Sequence, residues 1–144
     1  MKQITALALA AFLATSAHAG DIAATSAWIA DAPPSAMTRA AYLTLENESD
    51  TPIGIVAVSA EGFGMAHLHE SKMKEDGVMM MHAVHQLELA PGTGLQMEPG
   101  GLHIMLMHPE KPVAKGESVK LTLTLSDNTL LEVDATVQAG PGES

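Results

Sequence analysis

The chain has 144 residues, no cysteine and a formal net charge of −10 at pH 7, from 7 basic and 17 acidic side chains. The acidic excess disfavours binding to nucleic acid or to an anionic lipid surface, so neither is an expected partner. Because thiolates are absent, zinc fingers, iron–sulfur clusters, thiol redox chemistry and blue-copper electron transfer are excluded as functions.

The first 19 residues read as a secretory signal peptide rather than as part of the fold. Lys2 gives a positive start, Ile4 to Leu13 form an apolar stretch, and Ala17-His18-Ala19 is a small-x-small cleavage site. A membrane span needs roughly 20 apolar residues, and neither this stretch nor any later one qualifies. We therefore expect residues 20–144 to form one periplasmic domain, monomeric and without membrane insertion.

Downstream of this signal the pattern is β throughout. Short apolar or alternating runs are separated by turns rich in Gly, Pro, Asn and Asp, and no window shows helical periodicity. The predicted strands are Ala23–Ala30, Ala40–Leu45, Ile53–Val58, Met65–Glu70, Val78–His82, Gln86–Leu89, Leu102–Met107, Ser118–Leu125 and Leu130–Val137. The last two predict a hairpin, and Trp28 and Tyr42 are candidate core anchors. Many short strands at this spacing predict a single-domain, all-β sandwich or barrel.

Histidine and methionine are concentrated between Met65 and His108. This window holds six of the seven histidines and eight of the ten methionines, where a uniform spread would place about a third of them. They are His67, His69, His82, His85, His103 and His108, with Met65, Met73, Met79, Met80, Met81, Met97, Met105 and Met107. One such methionine is commonly core filler, but the shared window indicates a common role.

Two predicted strands carry these residues in alternation. The sequences Met65-Ala66-His67-Leu68-His69 and His103-Ile104-Met105-Leu106-Met107 each place three histidine or methionine side chains on one strand face and two apolar side chains on the other. We expect the apolar face to pack in the core and the other face to be exposed. Truncating the donor side chains should then cost the apo-protein little stability.

The chemistry of this donor set indicates a soft metal ion. Thioether sulfur is a soft, uncharged donor and imidazole is borderline, so together they suit Cu(I). Zinc prefers imidazole, carboxylate and thiolate, and calcium or magnesium would need convergent carboxylates, which the window lacks. The sequence predicts a Cu(I) site and leaves open whether Cu(II) also binds.

Several segments resemble the periplasmic copper chaperones of the PCu(A)C family. The similarity covers Ala27-Trp28, the run from Ala41 to Asn47, Gly77 to Met81, Pro99 to Met107 and the region from Gly116 to Leu123. The resemblance implies a cupredoxin-like Greek-key β-sandwich that carries Cu(I). It also implies delivery to a copper-accepting oxidase subunit, in some cases alongside a Sco-type thiol protein.

The family's ligand pattern is His, ten residues, Met, twenty-one residues, His, one residue, Met. Carried over by resemblance, the pattern assigns the metal ligands to His69, Met81, His103 and Met105. The second interval matches with twenty-one residues, whereas the first contains eleven. We place the extra residue in the turn 72–77. His67, Met80 and Met107 are auxiliary candidates, and the choices between His67 and His69 and between Met80 and Met81 stay open.

Three functions from different classes follow. A copper-carrying protein without enzymatic activity is the favoured interpretation. If cleavage followed Ala17, the new N-terminal His18 could form a copper brace with His67 or another histidine, as in oxidative copper enzymes. The third alternative, a non-metal adhesion or assembly sandwich, leaves the histidine and methionine window unexplained.

Overall fold

The computed structural model describes residues 16–140, and its regular elements are eleven β-strands. They are β1 (Ala17–Ala19), β2 (Ile22–Ala30), β3 (Thr38–Asn47), β4 (Ile53–Ala60), β5 (Phe63–Met73), β6 (Met79–Val84), β7 (Leu87–Leu89), β8 (Gly94–Gln96), β9 (Leu102–Pro109), β10 (Ser118–Leu125) and β11 (Leu130–Gln138). Across 16–140, no helix has the length and apolar character of a membrane span.

All nine predicted strands are present, most of them longer at one or both ends. The two strands that were not predicted, β1 and β8, have three residues each, which is too short to show an alternating pattern. Of the predicted signal peptide, residues 1–15 lie outside the described part of the chain. Cleavage after Ala19 stays a prediction, and it would remove β1.

The strands hydrogen-bond in the order β6-β5-β9-β3-β2-β11-β10-β4-β7, with β1 added to β2 and β8 added to β3. The predicted hairpin is confirmed, because β10 and β11 pair antiparallel from Ser118 opposite Thr136 to Thr124 opposite Leu130. The β11–β2 pair is parallel and joins strands from the two ends of the chain. A simple succession of hairpins would not produce this pairing.

The core lies between the two halves of this sheet, one of which contains β3 and β9 and the other β10 and β11. One buried apolar cluster contains residues of both halves: Leu43, Ile104 and Leu106 from the first, and Leu123 and Leu131 from the second. The halves therefore pack face to face as a sandwich. In β3, β5 and β9, the buried residues Leu43, Leu68 and Ile104 point inward, and the alternate residues form an outer face.

Candidate metal site

The pairing of β5 with β9 aligns the histidine and methionine residues of the two strands. The directly opposed residues are Met65 with Met107, His67 with Met105, and His69 with His103. The intervening pairs, Ala66 with Leu106 and Leu68 with Ile104, point to the core. We call the outer side of β5, β9 and β6 the donor face. Register alone brings six candidate ligands together on this face, because directly opposed side chains of a ladder are near neighbours.

The hairpin of β5 and β6 adds Met81 to the donor face. Ala83 is opposite His69 and Met81 is opposite Ser71, so Met81 lies one pair beyond His69 on the same face. Met80 is opposite Lys72 and lies on the other face. Strand alternation therefore favours Met81 over Met80 as the neighbour of His69.

The turn between β5 and β6 sets this register. The backbone N–H of Gly77 donates to the carbonyl of Lys74 at 2.9 Å, and the N–H of Lys74 donates to the carbonyl of Val78 at 2.9 Å. Gly77 has a φ of 82°, a left-handed conformation that glycine adopts without steric cost. A different turn length would shift β6 by one residue and exchange the faces of Met80 and Met81.

His103 is the most firmly held of the candidate ligands. Its Nδ1 lies 3.0 Å from the carbonyl oxygen of Gly101. Only a protonated ring nitrogen can donate to a carbonyl, so this contact places the proton on Nδ1 and leaves the Nε2 lone pair free. Metal-binding histidines are commonly oriented by such a contact. Sequence patterns did not reveal this role of Gly101, because a backbone carbonyl has no residue signature.

The expectation of an exposed donor face is wrong for His103, which is only 5% exposed. The Tyr42 ring lies 6.4 Å from its imidazole, between ring centroids, and Trp28 stacks on Tyr42 at 4.6 Å. Tyr42 is buried and Trp28 packs half-buried against the core cluster, as their predicted role as core anchors requires. Tyr42 lies beside His103 because β3 follows β9 in the sheet, and Trp28 on β2 packs against Tyr42.

His69 lies opposite His103 but has different surroundings. Its ring is half-buried, and its Nδ1 is shielded from solvent and has no hydrogen-bond partner among residues 16–140. Burial lowers the pKa of His69, and the neighbouring His103 and His67 lower it further. The neutral form is therefore favoured, and its unpartnered nitrogen is a group that a bound metal ion would satisfy.

The spacing of the two imidazoles suits one shared metal ion. The centroids of His69 and His103 are 6.0 Å apart, and two rings bound to one ion at about 2 Å per nitrogen have centroids roughly 5–6 Å apart. Nowhere in residues 16–140 do three or more His, Asp or Glu side chains form a group that could hold a metal ion. The thioethers on the same face are half-buried Met105 and exposed Met81. This composition favours a soft ion.

Several other histidines and methionines between Met65 and His108 lie away from the His69–His103 pair. His82 lies on the opposite face of β6, across from Glu70, and Met97 is buried in the core. Exposed His85 and His108 lie at or beyond strand ends. The hairpin tip carries the exposed pair Met73 and Met79.

His18 lies far along the sheet from the donor face. It is opposite Ala23 near the start of β2, and β2 and β3 separate it from β9 and β5. The structure thus does not bring His18 together with His67, and no observation favours the copper-brace alternative.

The fold and the donor face define a class of protein, a cysteine-free β-sandwich with a candidate soft-metal site built from histidine and methionine. Residues 22–137 match the family model "LpqE-like: Putative lipoprotein LpqE-like". Because this match spans most of the chain, the chain belongs to the LpqE-like family, which is of the PCu(A)C copper-chaperone type. The resemblance noted in the sequence is confirmed.

Known proteins and solved structures agree with this assignment. The chain is 29% identical to "Putative lipoprotein Lxx21020" of Leifsonia xyli subsp. xyli (strain CTCB07), over 84% of this chain and 72% of the relative. The apo PCuAC domain from PmoF1 superposes with a TM-score of 0.74 at 22% identity, covering 87% of this chain and 99% of that domain. This similarity confirms the cupredoxin-like β-sandwich.

A second solved structure is closer in sequence. It is the solution structure of CuI-DR1885 from Deinococcus radiodurans, with 34% identity and a TM-score of 0.62, covering 93% of this chain and 85% of that one. That protein is described with Cu(I) bound.

Proposed function

We propose that this chain is a periplasmic copper chaperone that holds Cu(I) between His69, Met81, His103 and Met105. The observation that carries the proposal is the ladder register, which sets His69 opposite His103 and places Met105 and Met81 beside them on one face. The copper-bound relative at 34% identity supports copper as the ion. The lack of a three-residue His, Asp or Glu group in 16–140 supports a thioether-containing site over a zinc or calcium site.

The site combines a fixed part with an open part, as a carrier requires. His103 is buried and oriented by Gly101, whereas the Met81 side chain is 51% exposed. Thioethers are neutral and bind without losing a proton, so they hold Cu(I) without the charge of a thiolate site. The thiolates of an acceptor could attack the ion from the Met81 side while His103 still holds it. This asymmetry supports transfer rather than permanent storage.

The proposal also includes export of the chain to the periplasm and delivery of copper to an acceptor protein. The signal-like start of the chain supports a periplasmic location, and family membership supports delivery to a copper-accepting oxidase subunit, alongside a Sco-type thiol protein. Mass spectrometry of the exported form tests the location. We expect a mature N-terminus at Gly20, and a mature start at His18 would favour the copper brace instead.

The metal assignment is tested by anaerobic titration with Cu(I) in competition with a colorimetric Cu(I) chelator. We expect tight Cu(I) uptake and much weaker binding of Zn(II) and Cu(II). X-ray absorption of the Cu(I) form should show both sulfur and nitrogen neighbours. A spectrum with only nitrogen and oxygen neighbours would refute the methionine ligands, and failure to take up Cu(I) would refute the function.

A further inference from the structure

The donor face carries more ligands than one copper ion can use. Once the four ligands of the first site are assigned, three donors remain on the same face at its other end. They are Met65 and His67 on β5 and Met107 on β9. Met80, the other auxiliary candidate, lies on the opposite face.

These three residues form a compact set. Met65 and Met107 are directly opposed across the ladder, and His67 is the next residue of β5 on the same face. Directly opposed residues have Cβ atoms about 5 Å apart, and neighbours along one face of a strand lie about 7 Å apart. Flexible methionine side chains can close such distances onto one ion.

The three side chains are also accessible. Met65 is 46% exposed, His67 is exposed and Met107 is half-buried. On the β3 side, Met107 is opposite Thr38, and the neighbouring position of β3 on this face is Ala40. Small side chains at these two positions leave room for a ligand above the sheet.

The position of His67 along β5 separates it from the first site. Its ring lies 6.4 Å from that of His69 at an interplanar angle of 24°, so these two rings are nearly parallel. His69 and His103 are closer, at 6.0 Å, and are inclined at 55°. The His69 ring is closer to the His103 ring than to the His67 ring, so His69 and His103 are assigned to the first site. His67 lies one same-face position further along β5 and is left as a donor for another ion.

We propose that Met65, Met107 and His67 form a second Cu(I) site, whose Met65–Met107 pair lies two same-face ladder pairs from His69 and His103. The proposal rests on the proposed function, because it assumes that the donor face binds Cu(I). Two thioethers and one imidazole are a neutral, soft donor set that suits Cu(I). Two single charges about 13 Å apart, at an effective dielectric constant of about 20 to 80, weaken each other's binding by about two- to tenfold. Both sites can therefore be filled together.

The test compares Cu(I) stoichiometry in three forms of the full chain by anaerobic chelator competition. The wild type should bind two Cu(I) ions. The double variant Met65→Leu with Met107→Leu should bind one ion, at unchanged affinity for the first site. The matched control is Met73→Leu with Met79→Leu, which removes an exposed, directly opposed methionine pair that has no histidine beside it. The control should still bind two ions.

The outcomes distinguish this proposal from the chaperone function. A wild type that binds a single Cu(I) ion overturns the second site and leaves the first intact. Loss of the second ion in the Met73/Met79 control, with retention in the Met65/Met107 variant, would move the site to the hairpin tip and also overturn the proposal. A wild type that binds no Cu(I) refutes the chaperone function itself. Thermal unfolding of each apo form checks that the variants are folded.

Discussion

At the scale of single residues, the two central histidines differ in how they are prepared for a metal ion. His103 is buried, covered by Tyr42, and its tautomer is set by the Gly101 carbonyl. His69 is half-buried, and its Nδ1 has no partner in the described chain. In the proposed site, His103 would be held in place before copper arrives, and His69 would gain its missing interaction when copper binds.

This difference predicts losses of unequal size in the stability of the apo-protein. His103→Ala should destabilise it by about 1–3 kcal/mol, because a buried contact and a hydrogen bond are lost. His69→Ala should cost under about 0.5 kcal/mol, because the removed nitrogen is unpartnered. Both should weaken Cu(I) binding by about tenfold or more. Urea unfolding and Cu(I) titration measure the two effects, with exposed His82→Ala as the control that changes neither. Equal stability losses for His69 and His103 would contradict the assignment.

The lowered pKa of His69 predicts a pH effect on stability. Its folded-state pKa lies below the ordinary value of 6.5, through burial first and then through the His103 and His67 rings. As pH falls through 6.5 the unfolded chain takes up the proton before the folded chain does, so folding stability falls. Urea midpoints of the apo-protein between pH 7.5 and 5 should decrease more steeply for wild type than for His69→Gln. Parallel decreases would show that His69 is not responsible.

At the scale of elements, the register of β5 with β9 and with β6 determines which side chains lie on the donor face. Strand β5 contributes donors to two ladders, one with β9 and one with β6. Because side chains alternate along a strand, a shift of one residue in either ladder would remove a ligand from the face. The turn at Gly77 holds the β6 ladder in place.

Register predicts that neighbouring methionines of β6 are unequal. Met81→Leu should weaken Cu(I) binding by about tenfold, whereas Met80→Leu should change it by less than about twofold, because only Met81 shares the face of His69. Leucine preserves side-chain volume, so the stability of both variants should be close to wild type. Chelator competition for each purified variant measures the difference. A larger loss for Met80 would mean that β6 is shifted by one residue.

At the scale of the whole molecule, the sandwich separates stability from metal binding. The inner faces of β5 and β9 belong to the core shared by both halves of the sheet, and the outer faces of the same strands carry the donors. His103 is the exception, because it is buried although it lies on the outer face, with the Tyr42 ring beside it.

This separation predicts that a core cavity lowers stability without changing the site. Leu106 is 0% exposed, and Leu106→Ala should cost about 2–5 kcal/mol. Copper affinity of the folded fraction should remain within about twofold of wild type, because Leu106 points away from Met105. Thermal unfolding and Cu(I) titration at low temperature measure both. Leu130→Ala, at a position 56% exposed, is the control that should change neither.

The sequence by itself determined the β class, the strand positions, and the face on which each histidine and methionine of β5 and β9 lies. These follow from local alternation, which needs only neighbouring residues. The three-residue strands β1 and β8 escaped prediction because so few residues show no alternation. The sequence also narrowed the ligands to a few candidates, but it left His67 against His69 and Met80 against Met81 open.

The tertiary structure decided what depends on residues distant in the chain. The pairing of β5 with β9 set His69 opposite His103, and the pairing of β5 with β6 placed Met81 rather than Met80 on the donor face. The Tyr42 ring beside the buried His103 comes from the order of β9 and β3 in the sheet. Alternation along a strand assigns a side chain to a face, but only the packing of other strands determines what covers it.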